Sequence, residues 1–158
     1  MDVPTDRREI LAAGFKGLQE VDKLLDGQYA AVPELPGVYA VFRLNEAPPR
    51  FVARSAAARV KGEDPTLPVG ALQASWVDTA MLFVSRAATL RTRVRQLVEF
   101  GHGKPVAHAQ GRAIWQLADC DQLIVGYQLA SDPKGAEAEW LAAFQARYGT
   151  LPFANAFK

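Results

Sequence analysis

Apolar residues recur along the chain with two different periods, and the switches between them predict its elements. Ile10, Leu11, Phe15, Leu18, Val21 and Leu25 stand at helical spacing. Asp6-Arg7-Arg8-Glu9 just ahead has the form of a capping box, with Asp6 able to cap and Glu9 able to reach back. The pattern predicts one amphipathic helix from about residue 6 to 25, ending near Gly27. Gly14 and Gly17 would weaken that helix by about 1 kcal/mol each relative to alanine. After the rigid turn Pro33-Glu34-Leu35-Pro36-Gly37, the β-branched and aromatic run Val38-Tyr39-Ala40-Val41-Phe42 reads as a buried strand. Ala80-Met81-Leu82-Phe83-Val84 reads as a second. Between them, residues 50–75 form a long irregular stretch with Gly62, Pro65, Pro68 and Gly70, and loops of that length are often functional.

Helical spacing returns after Thr89. Leu90, Val94, Leu97 and Val98 form the apolar stripe of a helix running to about Phe100, and Gly101 stands where a C-terminal cap belongs. Ala113 to Leu117 reads equally as a short strand or a helical turn. Leu123 to Leu129 is a third strand, and Asp132 and Pro133 open a last helix that carries Trp140, Leu141 and Phe144 on its inner face and stops at Gly149. The expected fold is α+β: a small, mainly antiparallel three-stranded sheet flanked by helices. Residues 1–30 are expected as an N-terminal helical extension and residues 31–158 as the main domain.

Composition narrows the class. The 158 residues suit one domain and need no disulfide or metal to fold. A single cysteine, Cys120, excludes an internal disulfide and fits a reducing compartment. No apolar run is long enough to cross a membrane, and the first residues lack the apolar centre of a signal peptide, so a cytoplasmic location is expected. Net charge is only +1, but Arg86, Arg91, Arg93 and Arg95 fall between residues 85 and 96 with no acid among them. That cluster points to a phosphate-bearing partner, against the plainer reading of a solvated helix face. His102, His108 and Cys120 have no metal-ligand spacing. Trp76, Trp115 and Trp140 are candidates for stacking on bases, although tryptophans at such positions more often belong to the core.

Three segments, in this order, resemble the GIY-YIG nuclease superfamily. Gly37-Val38-Tyr39 stands at the first motif and Phe83-Val84-Ser85 at the second. The stretch from Arg86 to Val94 is similar to the family's turn, capped helix start and helix arginine. Glu137 and Pro152-Phe153-Ala154-Asn155 match the later glutamate and the asparagine behind a proline. The resemblance covers about residues 35 to 155, and Gly111 to Leu117 resembles a bacterial subgroup of GIY-YIG-like proteins. It implies a magnesium-dependent endonuclease acting on DNA. Tyr39 would activate water or orient it, Arg93 contact the scissile phosphate, Glu137 hold a Mg2+ ion (Glu139 in its place if the register differs) and Asn155 organise the tail. Arg86, Arg91, Arg95, His108 and Arg112 would contact the nucleic acid. Two positions depart from the pattern: Phe83 lacks the hydroxyl of the second motif's tyrosine, and Ser85 replaces its glycine. A domain that binds nucleic acid or a protein partner without cleavage therefore stands beside the endonuclease as an alternative.

Overall fold

A computed structural model describes residues 1–157. The fold is α+β, as expected, but its antiparallel sheet has four strands rather than three. The strands are β1 (Lys16–Glu20), β2 (Gly37–Phe42), β3 (Met81–Ala87) and β4 (Ile124–Leu129), in the order β1-β4-β2-β3. The helices are α1 (Arg7–Ala12), α2 (Val21–Leu25), α3 (Val69–Ser75), α4 (Leu90–Gly101) and α5 (Pro133–Tyr148). Among the described residues, no helix is long and apolar enough to cross a membrane.

The added strand corrects the N-terminal expectation. The capping box forms, with the Glu9 N–H donating to Asp6 Oδ1 at 2.8 Å. The Glu9 carboxylate, however, accepts from the Thr5 N–H and hydroxyl instead of returning to Asp6. The helix then ends at Ala12, because Gly14 takes a left-handed φ of +97°. Lys16–Glu20 pairs antiparallel with β4. Its register shifts between Lys16 and Gln19, where Gly17 has φ +61° and where any Cβ would strike the Tyr127 ring. Residues 1–30, expected as a helical extension, thus supply an edge strand of the sheet, and Val3, Ile10 and Phe15 are buried in its core.

β2 is buried along its whole length because both faces of the sheet are covered. On one face, Tyr39, Val41 and Phe83 pack with Leu90, Val94 and Leu97 of α4 and with Ile114 and Trp115 of the 3-10 segment Ala109–Gln116. That segment resolves the strand-or-turn ambiguity as a helical turn. On the other face, Val38, Ala40, Phe42 and Val84 pack with Trp140 and Phe144 of α5 and with Ile10 and Phe15. Full burial of each large apolar side chain contributes about 1.5–3 kcal/mol. Gly101 is not the C-terminal cap; that place falls to His102. A Cβ at Gly101 would run into the Trp115 ring, so glycine there permits the close approach of α4 to the 3-10 segment. Residues 50–75 are anchored by the buried Gln116. Its Oε1 accepts from the Leu67 N–H at 2.7 Å, and its Nε2 donates to the carbonyls of Val52 and Leu67.

Candidate functional site

Strand register decides which polar groups meet. Ser85 of β3 lies directly across from Tyr39 of β2, and Phe83 across from Val41. Residues of alternate parity face opposite sides of a sheet, so Tyr39, Phe83 and Ser85 look toward α4 while Arg86 does not. Phe83 puts a ring beside Tyr39 with no hydroxyl on it, 6.2 Å between ring centres. The loop before the Ala109–Gln116 segment brings His108 in from above, its ring 6.0 Å from both Tyr39 and Phe83. The Tyr39 hydroxyl and His108 Nε2 share a hydrogen bond of 2.6 Å. Arg93 closes the group from α4, its Nη1 donating to Gln96 Oε1 at 3.0 Å and to the Ala107 carbonyl at 3.1 Å.

Tyr39 and His108 are closed off from water, with Arg93 half-buried beside them. Tyr39 is 0% exposed and His108 1% exposed. Burial pushes the Tyr39 phenol up to about 12; the Arg93 guanidinium and the Ser85 hydroxyl pull it down, and the Glu137 carboxylate adds to the rise. Burial, reinforced by the charge of Arg93, drives the His108 imidazole down to about 3. At neutral pH both partners are therefore uncharged, one a protonated phenol and the other a neutral imidazole. His108 Nδ1 is buried with no hydrogen-bond partner among the described residues. The expectation that His108 lines a cleft and touches nucleic acid is corrected by its burial; its partner is Tyr39.

Glu137 and Asn155 lie elsewhere. β3 is an edge strand, so every second backbone group on it lacks a strand partner. Asn155, carried by the 3-10 turn Phe153–Ala156, fills two of these positions. The Val84 N–H donates to its Oδ1 at 3.0 Å, and its Nδ2 donates to the Val84 carbonyl at 2.9 Å. Two residues further along, about 7 Å on a strand, the Arg86 N–H donates to Glu137 Oε2 at 3.1 Å. Arg86 Nη1 stands 3.8 Å from Glu137 Oε1. α5 covers the face of the sheet opposite Tyr39. Glu137 thus works at the strand's open edge and reaches Tyr39 through its field only.

The other expected nucleic-acid residues divide. Arg91 is committed within the chain, with Nε donating to the Val32 carbonyl at 2.7 Å and Nη1 paired with Glu34 at 2.6 Å. It fastens α4 to the proline turn. Arg95 is exposed, and Arg112 lies half-buried in the 3-10 segment. Glu139 is exposed on α5. The tryptophans serve packing. Trp115 and Trp140 are buried, and Trp76 sits among Phe51, Phe153 and the Arg43 guanidinium.

The donors fit a resident divalent metal poorly. One carboxylate suits Mg2+ only with waters and substrate phosphates to complete the shell, and both oxygens of Glu137 already face Arg86. Among the described residues, no three His, Cys, Asp or Glu side chains gather as a metal-binding group. Two of the larger surface cavities, of about 450 and 560 Å³, are lined by Asn45, Asp78 and Thr79 and by Asp2, Glu9 and Arg147, with Tyr39, Arg93 and Glu137 lining neither. Sequence reasoning missed the pairing of His108 with Tyr39, since a loop histidine carries no periodic signal. No family model, no curated protein and no solved structure matches the chain.

Proposed function

We propose that this chain is a GIY-YIG-like domain that binds nucleic-acid backbone without cutting it. The observation that carries the reading is the Tyr39–His108 pair: a buried, protonated phenol bonded to a neutral imidazole. A general base needs a pKa near the working pH and a path to the reacting water. A phenol pushed to about 12 and 0% exposed has neither. Phe83 removes the second hydroxyl that the resemblance calls for. Among the expected contacts, Arg95 is exposed, and Arg86, 51% exposed and 3.8 Å from Glu137 across a solvated gap, can turn its guanidinium to a phosphate. Guanidinium groups suit phosphate because they stay charged and donate paired hydrogen bonds.

Fluorescence anisotropy of short labelled DNA and RNA over a range of salt tests this. Wild type is expected to bind at low salt and weaken as salt rises. Arg86→Ala/Arg95→Ala is expected to bind more weakly, with a log–log salt slope shallower by about one for each arginine–phosphate pair removed. No binding at low salt would refute the proposal. One observation favours the endonuclease instead: Arg93 and Glu137 both act electrostatically on Tyr39, so the three groups share one neighbourhood. Magnesium-dependent nicks that vanish in Glu137→Ala would establish that second reading.

A further inference from the structure

We infer that Arg86 takes the place of a cation at Glu137, so that Glu137 fastens β3 instead of holding a divalent metal. The inference extends the proposed function to the chain's cation selectivity, and its test needs no nucleic acid. Three observations carry it. Glu137 Oε2 accepts from the Arg86 N–H at 3.1 Å, a bond that fills an edge position of β3. Glu137 Oε1 faces Arg86 Nη1 at 3.8 Å, so the same residue supplies a positive charge to the other oxygen. Trp140, three residues after Glu137 on α5, is buried against the sheet, which holds the carboxylate at this edge. A divalent ion arriving at Glu137 would compete with an amide for one oxygen and meet a guanidinium at the other. Among the described residues there is no cluster of three His, Cys, Asp or Glu ligands to offset that competition.

Mn2+ titration of the purified chain, followed by electron paramagnetic resonance, tests the inference. Wild type is expected to bind weakly and Glu137→Gln to change that little. Arg86→Gln is expected to bind roughly threefold to tenfold more tightly, because a nearby like charge and a competing partner are removed. The double variant Arg86→Gln/Glu137→Gln should lose this gain, and Arg8→Gln, an exposed arginine of α1, should not produce it. Arg86 is half-exposed, so its replacement leaves the core intact. The inference is overturned if Arg86→Gln binds no more tightly than wild type, if its gain survives in the double variant, or if wild type binds tightly and loses that binding in Glu137→Gln. A chain that binds no nucleic acid would refute the proposed function and leave this titration standing.

Discussion

Two polar clusters share strand β3 and behave differently. Under α4, Tyr39, His108 and Ser85 are buried beside the half-buried Arg93, and desolvation moves both titratable partners, Tyr39 and His108, far from their ordinary values. Along the open edge, Glu137 and Asn155 bond the backbone of Arg86 and Val84 where solvent still reaches. The difference lies in burial more than in residue type. Removing water fixes the protonation of the first cluster, while the second is held by ordinary hydrogen bonds and a screened ion pair. Nucleic-acid chemistry at Tyr39 would need the first cluster to resemble the second in access.

The largest expected effect breaks the buried cluster with acid. The imidazole of His108 titrates at about 3 in the folded chain against an ordinary 6.5. The unfolded state therefore binds the extra proton first, and the stabilisation, complete above 6.5, drains away as pH falls toward 3. It is worth at most about 4–5 kcal/mol. Urea unfolding between pH 7 and 4 should show about 3 kcal/mol of that loss, and the slope should flatten in Tyr39→Phe/His108→Leu, which removes both partners together. The phenol contributes in the opposite range: its stabilisation is whole below pH 10 and lost as pH rises through about 12.

Smaller effects are expected at the edge. Asn155→Ala frees both backbone groups of Val84 and should cost about 1–2 kcal/mol in urea unfolding, with faster hydrogen exchange at Val84. Glu137→Gln should cost less than about 1 kcal/mol, since the amide still accepts from Arg86 and the ion pair is solvated. A loss above that of Asn155→Ala would mean that the edge carboxylate is as deeply held as the phenol.

Much of this architecture is readable from periodicity. β2, α4 and α5 fall near their expected places because buried β-branched runs and capped amphipathic stripes are local signals. β1 is not readable. Lys16–Glu20 continues the helical spacing of its neighbours, and its extended state depends on pairing with β4 more than a hundred residues away. Much of the order within residues 50–75 is hidden for the same reason, since it draws on distant partners such as the buried Gln116 and the Phe100 carbonyl. Tyr39, Arg93, Glu137 and Asn155 each follow from the resemblance. Their division between an enclosed face and an exposed edge depends on strand order, which no motif encodes.

The closed character of the Tyr39 cluster carries the account, and a 15N NMR titration of the imidazoles, with His108 assigned through His108→Gln, tests it most directly. The His108 ring should stay neutral, its shifts flat from pH 8 down to about pH 4. A midpoint near 6.5 would mean that water reaches the ring and that the centre is open.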